Sequence, residues 1–191
     1  HDPYSASKAG TEIVCNSYRA SFFSKNGSAR LASVRAGNVV GGGDWSANRL
    51  LPDLIRGLSA NKSVIIRNPS ATRPWQHVLE PLYGYLLCAE AVSKERANSR
   101  PWNFGPHSDD VHTVEEVVKV IKSIWKGPKK IQINVSEPTF KEAQTLAVNP
   151  NAARRILGWQ TRLDFLSTIE WTAEWYEAYY TNPQSVAEIT H

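Results

Sequence analysis

A glycine-rich segment, Gly37-Asn38-Val39-Val40-Gly41-Gly42-Gly43, follows a short strand-forming run at Arg30–Arg35, and this pairing constrains the fold most. A strand that feeds a glycine loop lets the backbone approach a ligand closely, a habit of α/β proteins that bind nucleotides. The spacing is not G-x-G-x-x-G, and a helical stretch comes before the strand. The loop is therefore not the first strand-to-helix turn of a dinucleotide fold. The sequence reads as the second half of such an architecture without the first.

The rest of the chain alternates in the same way. Asp2-Pro3 opens a helix that runs to about Phe23 and stops at Asn26-Gly27. Leu50 to Ala60 predicts a helix, Ser63 to Arg67 a strand, Trp75 to Val78 an extended piece, and Glu80 to Lys94 an apolar helix. Trp102 to Gly105 predicts a strand, and Thr113-Val114-Glu115-Glu116 fits a capping box before an amphipathic helix. Lys130 to Val135 and Gln144 to Val148 predict two further strands. A short helix then ends at Leu157-Gly158-Trp159, and a long aromatic one spans Asp164 to Tyr180. The fold class is α/β, with no internal repeat or linker to mark a second domain.

Composition narrows the function classes. No apolar run approaches the roughly 20 residues of a membrane helix, which argues against a membrane partner. The net charge of +4 is spread along the chain without a long basic run, so a small anionic ligand suits it better than nucleic acid. Two cysteines, Cys15 and Cys88, lie in apolar helical stretches and read as buried thiols of a cytoplasmic protein. The chain has no methionine and opens His1-Asp2-Pro3-Tyr4, which reads as a piece of a longer protein.

Tyr4-Ser5-Ala6-Ser7-Lys8 places a phenol and an ammonium one helical turn apart on one face. A neighbouring cation stabilises the phenolate and makes Tyr4 a usable general base for a hydroxyl proton. His107 and His112 flank Asp109-Asp110, but the four share no helical or strand register, so no metal site is expected. The tryptophans and the aromatic run Trp171 to Tyr180 read as packing rather than as a ligand stack, and His77 as a packed strand residue.

The run Asp2 to Glu12, D-P-Y-S-A-S-K-A-G-T-E, resembles the active-site helix of the extended short-chain dehydrogenases/reductases. Within them, Arg35 to Trp45 (R-A-G-N-V-V-G-G-G-D-W) is similar to the group that dehydrates CDP-glucose. Arg73-Pro74-Trp75-Gln76-His77-Val78, Leu157-Gly158-Trp159 and Glu174-Trp175-Tyr176 add to the likeness. The resemblance covers the whole chain but only the C-terminal portion of such proteins. It implies the end of a Rossmann-type NAD-binding domain, interleaved with a small substrate-binding lobe as one partial unit.

The resemblance implies a reaction and its residues. Tyr4 takes the sugar 4-hydroxyl proton as hydride passes to NAD, water leaves across C5–C6, and the hydride returns to C6. Lys8 holds the nicotinamide ribose, and Val39 also lies on the cofactor side. Asn38, Arg49, Leu50 and Arg73 meet the CDP-sugar, and Ile65 and Arg67 flank its base, with Glu142 a candidate for hydroxyl groups. Arg73 is also readable as a surface arginine, and Ile65 to Arg67 as an ordinary strand. The helix from Tyr4 to Phe23 is expected to form a homodimer, and the product to feed deoxysugars of a lipopolysaccharide O-antigen. Another nucleotide-sugar enzyme of this family, such as an epimerase, and a non-catalytic nucleotide-sugar-binding fragment remain open, the chain alone being expected to be inactive.

Overall fold

Asp2 caps the first helix, α1 (Pro3–Phe22): its Oδ1 accepts from the Ser5 amide at 2.9 Å and its Oδ2 from the Ser5 hydroxyl at 2.6 Å. Pro3 sits in the first turn, where a missing N–H costs nothing because those groups have no helical partner. The computed structural model describes residues 2–23, 29–94, 100–107, 110–127, 133–135 and 144–189. The Asn26-Gly27 stop expected after α1 lies outside the described residues.

The elements that follow are β1 (Ser33–Ala36), β2 (Asn38–Val40), α2 (Leu50–Ala60), β3 (Val64–Ile66), β4 (Thr72–Arg73) and β5 (Trp75–His77). Then come α3 (Leu79–Ser93), β6 (Pro101–Phe104), β7 (His112–Thr113), α4 (Val114–Ile124), β8 (Ile133–Val135), a π-helical turn at Ala153–Leu157 and α5 (Phe165–Thr181). Among the described residues the strands form four two-stranded ladders. Three are parallel, β1 with β6, β2 with β5 and β3 with β8, and one, β4 with β7, is antiparallel. The architecture is the α/β one that the alternating sequence pattern implies.

Gly37 explains how one strand segment serves two ladders. Its amide donates to Phe104 O at 3.3 Å, ending the β1–β6 pairing, and the chain then joins β5 through Asn38–Val40. A Cβ on Gly37 would stand 2.8 Å from Pro74 Cγ, closer than side chains tolerate. The Gln76 side chain, buried in β5, donates to the same Phe104 carbonyl at 3.0 Å. The two ladders are thus stapled at one point.

Three expectations need correction. Asn38–Val40 is a strand rather than part of a loop, because its β-branched pair Val39-Val40 lies in register with Gln76 and His77. Gln144 to Val148 is not a strand: Thr145 makes only an isolated bridge to Thr72. The partner strand β4 ends at Pro74, which has no N–H to extend a ladder. The first strand also begins later than expected, at Ser33, where its partner β6 begins opposite at Pro101.

A main core joins α2, β3, β5, α4 and α5 through Leu54, Ile55, Leu58, Ile66, Trp75, Val117, Ile121, Ile169 and Tyr176. A second cluster packs Cys88 and Val92 of α3 against Trp102 and Phe104 of β6 and Trp159; Cys15, expected to be buried as well, is only partly so, because no residue of α1 is buried. The buried Glu80 carboxylate accepts the Arg162 and Leu163 amides at 2.8 Å each, and its carbonyl accepts Trp159 Nε1 at 3.0 Å. That fixes the start of α3 to the segment leading into α5. No described helix is long and apolar enough to cross a membrane.

Candidate active site

Tyr4, Asn38, Val39, Arg49, Leu50, Ile65, Arg67 and Arg73 come from five separated stretches, and the fold brings all eight to one cleft of about 540 Å³. Tyr4 reaches it from the first turn of α1. Asn38 and Val39 lie on β2, at the mouth of the glycine loop. Arg49 and Leu50 sit where α2 begins, and Ile65 and Arg67 at β3. Arg73 comes from β4. Lys8 is not among the lining residues; one turn along α1, its Nζ stands 5.5 Å from the Tyr4 ring centroid. Glu142 lies outside the described residues.

The arginines are held in different ways. Arg73 is 8% exposed, and its Nη1 donates to the carbonyls of Thr72 at 2.8 Å and Gln144 at 3.3 Å. This excludes the reading of Arg73 as a surface side chain. Arg49 Nη1 meets Asp44 Oδ2 at 3.0 Å, while Arg67 Nη2 donates to Asn48 Oδ1 at 3.0 Å. Asn48 takes a left-handed backbone (φ 64°), which asparagine tolerates better than most residues. Partial burial works to raise the Asp44 carboxyl, but the amide and hydroxyl of Ser46 and the Arg49 cation outweigh it and hold it below the ordinary aspartate value. The carboxylate therefore stays charged beside Arg49. Ile65 presents an apolar side chain, 62% exposed, on the same cleft.

Sequence reasoning did not single out Asp44, Asn48 or Asp53 as lining residues. The G-G-G-D-W string contains Asp44, but its partnership with Arg49 needs the loop to close over five residues. The histidines take other places. His77 is buried in β5, and that burial pushes its pKa down against the opposing pull of Glu80. His112 Nε2 pairs with Asp110 Oδ1 at 2.9 Å while its ring stacks on Phe165, and His107 Nδ1 lies 2.9 Å from Arg154 Nη1.

The cleft is lined by Tyr4 and by three arginines, with the Lys8 ammonium near the Tyr4 ring but outside the lining. Guanidinium forks suit a diphosphate, since two oxygens can be bound at once.

A model of the NAD dependent epimerase/dehydratase family matches residues 1–105. The CDP-glucose 4,6-dehydratase of Salmonella typhimurium is 42% identical over 184 residues, which are 94% of this chain and 51% of that protein. Among solved structures, a dTDP-glucose 4,6-dehydratase of Bacillus anthracis in complex with NAD superposes with a TM-score of 0.75 at 19% identity, over 99% of this chain and 55% of that one. An epimerase of Methanothermobacter thermautotrophicus gives 0.78 at 20% identity, over 98% and 53%. These structures share the fold. The chain spans about half the length of the curated relative it matches.

Proposed function

The chain belongs to the NAD dependent epimerase/dehydratase family, and from that premise we propose that it carries the proton-transfer helix and the nucleotide-sugar wall of a CDP-glucose 4,6-dehydratase. It corresponds to the end of the NAD-binding domain interleaved with the substrate lobe. The net reaction converts CDP-glucose to CDP-4-keto-6-deoxyglucose with loss of water. The observation that carries this reading is the convergence of Tyr4 and three arginines on one cleft of about 540 Å³.

The Tyr4 hydroxyl and the Lys8 ammonium are donors of the kind that suit the hydroxyls of a nicotinamide ribose, and Val39 lines the same cleft as Tyr4. No G-x-G-x-x-G occurs in these residues to take the pyrophosphate. The chain thus fits one end of the dinucleotide. Bound NAD supplies reversible hydride transfer, and the remaining work falls to side chains.

Tyr4 accepts the proton of the sugar 4-hydroxyl, and Lys8, one turn along α1, orients the ribose. Asn38, Arg49, Leu50 and Arg73 meet the diphosphate side of the CDP-sugar, and Ile65 and Arg67 flank its base, Ile65 with an apolar side chain. Glu142 is a candidate for hydroxyl contacts. The exposed apolar residues Ile13, Val14, Tyr18 and Phe22 of α1 support a homodimer through this helix. The free thiols Cys15 and Cys88 suit the reducing cytoplasm, where deoxysugar precursors of a surface polysaccharide would be made.

Incubating the intact protein with CDP-glucose and NAD tests the reading. A 4-keto-6-deoxy product is expected. An epimerised hexose with no loss of water would transfer the chain to the epimerases. By itself, the chain is expected to bind CDP but to bind NAD negligibly and to turn nothing over.

A further inference from the structure

The loop that carries Asp44 and leads to Arg49 is held from a distant part of the sequence. Tyr176, fully buried on α5, donates its hydroxyl to Asp44 O at 2.6 Å, across 132 positions of chain. The neighbouring Trp175 lies so close to the loop that a Cβ on Gly42 would stand 2.0 Å from its Cγ. Gly43, at φ 80°, makes the turn that follows. Trp45 then inserts among Trp175, Tyr176, Tyr179 and Tyr180, with ring centroids 4.9 to 6.5 Å away. From the other side, Arg56 of α2 donates to the carbonyls of Trp45 at 2.9 Å and Ser46 at 3.2 Å.

These contacts divide their work. The aromatic rings and Arg56 hold the loop at Trp45 and Ser46, beyond the acidic residue. The Tyr176 hydroxyl fixes the peptide of Asp44 itself, whose carboxylate accepts from the Ser46 amide at 2.9 Å and from Arg49. Burial and the nearby Asp44 charge push the Tyr176 phenol up to about 12. It therefore keeps its proton, and its donor role, across the neutral range.

We propose that Tyr176 is a positioning residue for nucleotide affinity: by anchoring the Asp44 peptide it sets where Arg49 presents its guanidinium in the cleft. The role rests on the nucleotide-sugar reading above. It makes the last long helix, which lines none of the cleft, a determinant of how the diphosphate is held.

The test is a double-mutant cycle read by calorimetric titration of CDP into the intact protein. Y176F keeps the ring and removes only the hydroxyl, and its affinity is expected to fall about three- to tenfold, the size of one hydrogen bond. In an R49A background the same change is expected to have no further effect. A merely structural tyrosine would lower the melting temperature and leave CDP affinity alone, and that result overturns the proposal. Equal losses in both backgrounds also overturn it, because the effect would not pass through Arg49. Should Y176F fail to fold, D44A takes its place: it leaves α5 intact and must give the same non-additive pattern with R49A. A wild-type protein that binds no CDP overturns the nucleotide reading together with this role, whereas wild-type binding with an unaltered Y176F overturns this role alone.

Discussion

On one wall of the cleft Arg73 is 8% exposed and Arg49 is backed by Asp44, whereas on the other Tyr4 stands 72% exposed on a helix without a single buried residue. The first wall is preorganised by contacts from β4, α2 and the loop that α5 clamps. The second is attached to β1 by polar contacts: Glu12 meets the Ser33 hydroxyl at 2.9 Å and Arg35 at 3.6 Å, and Arg19 donates to Leu31 O at 3.1 Å. Exposed ion pairs of this kind contribute little, roughly 0–1 kcal/mol each. The wall proposed to bind the nucleotide is therefore braced by this chain's own core, and the wall proposed to transfer the proton stands on a helix whose apolar residues are exposed.

The largest effect expected separates the two walls by chemistry. Tyr4→Phe in the intact protein should lower turnover by about 10²–10⁴, the usual contribution of a general base, with CDP affinity unchanged. Stopped assays beside calorimetry measure both. Wild-type turnover would remove Tyr4 from the reaction, and a parallel loss of affinity would show that the walls are not independent.

The comparison can be broken next by stability. Leu54 of α2 is fully buried in the main core, so Leu54→Ala should cost about 2–5 kcal/mol. Ile13→Ala on α1 should cost under about 0.5 kcal/mol, because Ile13 is 69% exposed. Chemical denaturation gives both values. A large cost at Ile13 together with a loss of dimer in sedimentation would show that a second copy covers α1. A large cost in a protein that remains monomeric would mean that α1 is packed within the chain.

Arg73 tests the binding wall alone. Arg73→Lys keeps the charge but loses the planar fork, and CDP affinity should fall by about tenfold. Turnover at saturating CDP-glucose should change little. Unaltered affinity would leave Arg73 as the donor that joins Thr72 to Gln144, and nothing more.

The helices and their caps were legible in the sequence because their determinants are local. Leu50–Ala60 emerges with both bounds as expected, and the Thr113–Glu116 capping box forms as its spacing requires. What failed to show depended on partners far along the chain. Val39-Val40 becomes a strand only because β5 lies beside it, and Gln144 to Val148 fails to become one because Pro74 ends its neighbour. Site positions could be read from motif strings, which place residue types in order. The Asp44–Arg49 pair could not, since its geometry depends on a tyrosine 132 residues away.

The smallest expected effect concerns α4, whose first residue, Val114, lines the binding wall. Glu116 accepts from the Thr113 amide and hydroxyl, and Thr113 Oγ1 accepts in return from the Glu116 amide at 3.1 Å. Those bonds, the amide first, with His112 adding to them, hold the Glu116 carboxyl below its ordinary value. A carboxylate with a depressed folded value stabilises the protein fully above the unfolded value, near 4.3, and loses that contribution as pH falls through the folded one. Glu116→Gln keeps the shape of the cap but cannot titrate. At neutral pH it should cost about 1 kcal/mol at most, a shift of about 2–4 °C in melting temperature for a chain of this size. The gap between variant and wild type should close as the buffer is taken below about pH 4. A gap that stays constant down to low pH would mean that the charge of Glu116 does not support the cap.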